Sequence, residues 1–109
     1  MSIINIIVFA TKTGKEPFSV WLNKLNTQTQ AIIMTRLDRV SLGNFGDIKR
    51  IKNAKDVFEI RIHYGPGYRI YFGKEKDSIV LLLTGEAKQS QNRDIKKAKQ
   101  YWQEYKNSI

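Results

Sequence analysis

The chain has 109 residues, 41% of them hydrophobic, and nineteen Lys and Arg against ten Asp and Glu give a formal net charge of +9. This length suits one domain over residues 1–109 with one core, and the apolar content is too high for a disordered chain. With no cysteine, a disulfide framework and a cysteine-based zinc site are excluded, and a reducing cytoplasm is the expected location.

The positive excess favours a polyanionic partner, nucleic acid first, over a basic surface kept for solubility. A membrane surface is disfavoured, because no basic amphipathic segment carries an exposed aromatic face. The apolar stretch Ile3 to Ala10 falls far short of the roughly 20 residues that span a bilayer. No basic region precedes it and no small-residue cleavage site follows, so no signal peptide is expected.

Ile3 to Phe9 is rich in β-branched residues and apolar on both sides of an alternation, which predicts a strand buried on both faces. Pro17 suits the first position of a helix. Phe18, Trp21, Leu22 and Leu25 follow at spacings of three and four, forming one apolar stripe. Thr27 with Gln30 resembles a capping box for a second helix, striped by Ile33, Leu37 and Val40 and stopped by Gly43. Asp47 to Ile51 suggests a short strand. Val57 to Tyr64 and Tyr68 to Phe72 alternate cleanly around the turn signal Gly65-Pro66-Gly67. Ser78 to Thr84 is a nearly continuous apolar run, hence a more central strand. Ser90 suits the cap of a last helix, with Ile95, Ala98, Trp102 and Tyr105 on its apolar side. The order predicts an α+β domain: an N-terminal strand and helical hairpin, an antiparallel meander sheet, and a C-terminal helix, with the helices on one sheet face.

If residues 65–67 form the loop, Tyr64 faces Tyr68, Ile62 faces Ile70 and Ile60 faces Phe72 on the core side. On the other side His63 faces Arg69, Arg61 faces Tyr71, and Glu59 stands at one end. Any other odd loop length keeps the same two faces, because side chains alternate along a strand. Opposed like charges destabilise a sheet, so two Arg and a His need compensation. A carboxylate such as Glu59 or Asp47 would supply it, and so would a phosphate, whose geometry the guanidinium fork matches. Lys49, Arg50, Lys52 and Lys55 precede the hairpin as a solvated loop or as contacts to an RNA backbone. Lys88 and Arg93 fall at the mouth of the last helix, where free N–H groups favour an anion. Gln91 and Asp94 share that stretch and also suit capping positions. Tyr101, Trp102 and Tyr105 read as core packing rather than a base-stacking platform. Metal-ligand spacing, clustered carboxylates, a P-loop and a dinucleotide fingerprint are all missing from the sequence, so no metal and no cofactor are expected.

Several runs in order carry a resemblance. They are Phe18-x-x-Trp21-Leu22-x-x-Leu25, Gly43-Asn44-Phe45-Gly46-Asp47, Phe58-Glu59-Ile60-Arg61-Ile62, Gly65-Pro66-Gly67-Tyr68-Arg69-Ile70-Tyr71-Phe72, and Lys88-Gln89-Ser90-Gln91 with Asp94-Ile95 and Ala98. Across residues 16 to 102 the chain resembles the addiction-module killer proteins, HigB-like members of the RelE/ParE toxin superfamily. One difference lies at Gly85-Glu86-Ala87-Lys88, where the family pattern has Gly-Gly-Asp before the lysine. The resemblance implies a RelE-like fold and a toxin paired with a helix-turn-helix antitoxin. It also implies cleavage of messenger RNA, with the ribosome as the expected setting. The superfamily also contains inhibitors of DNA gyrase that cut no RNA, so a non-enzymatic toxin or nucleic-acid-binding module is the competing expectation.

The sequence has one histidine, His63, so acid–base chemistry with two histidines is excluded. Charge stabilisation then carries most of an RNA cleavage. Arg61 and Arg69 are expected to clamp the scissile phosphate, with Lys88 as a third cation and proton carrier. His63 is the acid–base candidate, Tyr71 a base-stacking or proton-relay residue, and Gln91 an RNA-orienting one.

Overall fold

Strand β1 (Asn5–Val8) is followed by helices α1 (Pro17–Asn23) and α2 (Thr27–Ser41), strands β2 (Ile48–Arg50), β3 (Val57–Ile62), β4 (Tyr68–Glu75) and β5 (Ile79–Ala87), and helix α3 (Arg93–Asn107). The computed structural model describes residues 4–76, 79–88 and 93–108. The five strands form one mixed sheet in the order β1-β5-β4-β3-β2, with β1 parallel to β5 and the other neighbours antiparallel. The α+β class and the antiparallel meander are as expected. No helix among the described residues is long and apolar enough to cross a membrane.

The first strand departs from expectation. It lies at a sheet edge, with Asn5 and Ile7 exposed and Ile6 and Val8 half-buried. Its apolar run serves one covered face plus a parallel partner on one side only.

The helical hairpin forms from local signals. Pro17 opens α1, and Phe18 in its first turn is buried. The cap of α2 is Asn26, one residue before the expected Thr27. Its side chain accepts from the Thr29 amide at 2.8 Å, and the Gln30 side chain donates to the Leu25 carbonyl at 2.8 Å. Asn is a better cap than Thr, and from position 26 it reaches the third helical N–H. At the other end Gly43 adopts φ +94°. The amides of Gly43 and Asn44 donate to the carbonyls of Val40 and Arg39 at 2.9 Å each. That is the Schellman arrangement, which needs a residue free to turn left-handed.

The sheet has a core on each side, which corrects the expectation of one core and of helices on one face. Phe18, Ile33, Leu37 and Val40 of α1 and α2 pack with Ile60, Ile62, Ile70, Phe72 and Leu82. On the opposite side Ala98 and Trp102 of α3 pack with Phe9, Ile51, Val57, Tyr71, Leu81 and Leu83. The second side is apolar along part of its length, and the stripe of α3 covers that part. One tryptophan lies against a glycine on each side. A Cβ at Gly73 would stand 2.1 Å from Trp102, and one at Gly85 would stand 2.4 Å from Trp21.

The β3–β4 register differs by two residues from expectation. Arg61 faces Arg69, Ile60 faces Ile70, Ile62 faces Tyr68 and Glu59 faces Tyr71. The connection spans residues 63–67. Gly65 and Gly67 both adopt positive φ, and the Gly67 amide donates to the Tyr64 carbonyl at 2.9 Å. Tyr64 therefore belongs to the turn and does not pair with Tyr68. The loop stays odd in length, so the two expected faces survive the shift. In β5, one extra residue, Leu83, separates the pairs Tyr71–Thr84 and Phe72–Leu82. Such a bulge re-aims the residues beyond it, and Glu86 comes to lie opposite Arg69.

Candidate functional site

Arg61 and Arg69 are directly opposed across β3 and β4, a pairing that two bare guanidinium groups would resist. Glu59 lies between them. Its Oε2 is 3.3 Å from Arg69 Nε and its Oε1 is 3.9 Å from Arg61 Nη2. Arg69 Nη1 also lies 3.5 Å from Oε1 of Glu86. Both carboxylates are buried, while the arginine side chains remain 37% and 22% exposed for Arg61 and Arg69. The carboxylates thus compensate the pair from beneath and leave guanidinium surface facing outward.

Tyr71 requires a correction. It occupies the same side of the sheet as the arginines but is fully buried under α3, and its hydroxyl donates to Glu86. Stacking on a base is closed to it. Burial, reinforced by the neighbouring Glu86, pushes its phenol well above the ordinary range. Burial likewise raises the Glu86 carboxyl, with Asp94 adding to the shift, while Tyr71 and Arg69 pull it back. Tyr71 and Glu86 therefore hold Arg69 in place from within the core.

His63 stands at the start of the turn with its side chain 67% exposed, and its Nε2 is 2.6 Å from Asp47 Oδ2. This hydrogen bond holds the Asp47 carboxyl below its usual range, and Arg61 contributes to the shift. The Asp47 carbonyl accepts from the Arg61 amide at 2.9 Å. The His–Asp pair is thereby tied to the strand that carries Arg61.

Arg61, His63, Arg69 and Lys88 line one cleft of about 740 Å³ together with Lys49, Arg50 and Lys52. Lys88 is exposed, its amide donates to the Gly67 carbonyl at 2.9 Å, and its side chain crosses Gly67 so closely that a Cβ there would meet Cδ at 3.2 Å. Lys55 lies elsewhere, beside a separate shallow hollow in the turn between β2 and β3. Gln91 and the side chain of Arg93 fall outside the described residues. The start of α3, expected to be an anion site, carries Asp94 in its first turn next to buried Glu86.

Lys96 and Lys99 also line the cleft, with Ile95 of the same helix, and sequence reasoning did not single them out. Their spacing on the last helix was visible, but not the sheet face that helix would cover. Glu59 is the one carboxylate among the described lining residues. No three His, Asp or Glu side chains among the described residues converge as metal ligands.

No protein-family model matches the chain. It is 44% identical over 88 residues to an uncharacterized protein of Haemophilus influenzae, covering 80% of this chain and 87% of that one.

Proposed function

The chain belongs to one family with that Haemophilus influenzae protein, and we propose that it is a toxin of the RelE/ParE type, a metal-independent endoribonuclease that cuts messenger RNA on the ribosome and is restrained by a helix-turn-helix antitoxin. The observation that carries this reading is the opposed Arg61–Arg69 pair, compensated by buried carboxylates, in a cleft lined by further basic residues. Two guanidinium forks at one point suit a phosphodiester that gains negative charge during reaction.

In the proposed reaction the ribose 2′-OH attacks the adjacent phosphorus. A 2′,3′-cyclic phosphate forms, and the bond to the 5′ oxygen breaks. One proton leaves the 2′-OH and one reaches the departing oxygen. Arg61 and Arg69 stabilise the charge on the non-bridging oxygens. His63, held through Nε2 by Asp47, presents its other ring nitrogen for proton transfer, and Lys88 supplies a further cation. Glu59 and Glu86 fix the direction of the Arg69 fork.

A purified translation mixture tests the proposal. The wild-type chain should generate new mRNA 5′ ends, and Arg61→Ala or Arg69→Ala should slow their appearance by roughly 10²–10³-fold, the scale for loss of one preorganised charge donor. Intact transcripts with wild-type protein would reject the nuclease. If gyrase supercoiling stopped instead, the non-enzymatic toxin would replace it.

A further inference from the structure

We infer that the cleft is a two-banked groove for single-stranded RNA, with Lys96 and Lys99 of α3 forming the bank opposite Lys49 and Lys52. This rests on the nucleic-acid reading of the cleft and adds where the strand runs on either side of the arginines.

Three observations carry it. First, α3 packs on the sheet side that bears Arg61 and Arg69, so its cleft-facing residues look across the arginines toward β2. Second, Lys96 and Lys99 are three residues apart, and such residues are neighbours on one helix face. Both line the cleft, and neither has an ion-pair partner among the described residues. Third, the lining charge is one-sided. The only carboxylate among the described lining residues is Glu59, which already faces both arginines. Arg50 lies over the Phe58 ring at 5.5 Å, but Lys49 and Lys52 on one bank and Lys96 and Lys99 on the other have no ion-pair partner among the described residues, which suits successive phosphates of a chain passing between them.

The floor selects the form of the nucleic acid. The side chain of Arg69 is 22% exposed and lies between two banks. The stiff, convex surface of a duplex keeps its phosphates on the outside of a cylinder and meets the banks before the floor. A single strand bends its backbone into the cleft and turns its bases outward.

The test uses the full chain and a fluorescein-labelled oligouridylate with 2′-O-methyl groups, which binds but lacks the nucleophile for cleavage. Anisotropy titrations across a salt series give both Kd and its salt slope. The Lys96→Gln/Lys99→Gln variant should bind about tenfold more weakly near physiological salt. Its log–log slope should fall by about 1.4, from about 0.7 per phosphate contact on single strands. A second variant, Lys97→Gln/Lys106→Gln, removes the same charge from α3 at residues that do not line the cleft, and should keep the wild-type slope. An equal loss in both variants would assign the effect to net charge and overturn the bank. An unchanged slope in the first variant would also overturn it while leaving the nucleic-acid reading intact. Absence of salt-dependent binding by the wild type would overturn both. Tighter binding of a duplex of the same length would overturn the single-strand assignment. So would a Lys96/Lys99 effect seen only with polyglutamate, which would make α3 a seat for an acidic protein segment.

Discussion

On the α1/α2 side of the sheet, Ile60, Ile62, Ile70, Phe72 and Leu82 are buried beneath apolar helix residues. On the α3 side, Val57, Tyr71, Leu81 and Leu83 are covered by Trp102 and Ala98, but along the same strands the residues change to Glu59, Arg61 and Arg69. Alternating positions of one hairpin therefore serve packing on one side, and packing then charge on the other. The charged end costs nothing in apolar core, because α3 leaves it as a cleft rather than a contact. Its cost is electrostatic, and it is offset locally by Glu59 and Glu86.

The packed side should respond to lost volume somewhat more than the cleft responds to lost charge. Phe72 is fully buried and stacks on Phe58 and Phe45 at ring distances of 5.3 and 5.9 Å. Phe72→Ala should lower unfolding free energy by about 3–5 kcal/mol. In urea titrations this appears as a lower midpoint with little change in slope. A loss below about 1 kcal/mol would show that this face is loosely packed and break the contrast.

Arg69→Ala comes next. Removing the guanidinium leaves buried Glu86 without its cation and Glu59 with only the longer contact to Arg61, a change expected to cost about 2–4 kcal/mol. This makes the single variant ambiguous as an activity probe, since it weakens the fold as well as the site. The triple variant Arg69→Met/Glu59→Gln/Glu86→Gln removes the charges together. It should regain most of the stability while remaining inactive in mRNA cleavage. Recovery of cleavage along with stability would make Arg69 a structural residue alone.

Much of this was legible in the sequence because strand alternation is robust. The residues sharing a face with Arg61 and Arg69 followed from a period of two, and an error of two residues in register left that set intact. The register itself depended on Gly65 and Gly67 both turning left-handed, which no hydrophobic pattern encodes. The stripe of the last helix showed that it packs, but not on which face. The burial of Tyr71 and the cleft positions of Lys96 and Lys99 both follow from that face. The first strand misled for a related reason: an apolar run signals burial, and an edge strand with one covered face uses a similar composition.

The smallest expected effect separates two carboxylates by the sign of their pH dependence. Asp47 is exposed, and its hydrogen bond to His63 holds its carboxyl below the usual range. A lowered acid favours the folded state once pH exceeds the unfolded value, and that advantage disappears as pH falls through the folded one. Glu86 is raised by burial, so its contribution is complete below the unfolded value and is lost as pH rises through the folded one. Urea midpoints of wild type, Asp47→Asn and Glu86→Gln, followed between about pH 3 and pH 7, should therefore diverge in opposite directions. Wild type should gain on Asp47→Asn as pH rises and lose ground to Glu86→Gln over the acidic part of the range. The Asp47 difference should also shrink in high salt, because that pair is exposed, whereas the Glu86 difference should persist. Parallel curves for the two variants would mean that Glu86 is as well solvated as Asp47, and that the arginine pair is not held from a buried layer beneath it.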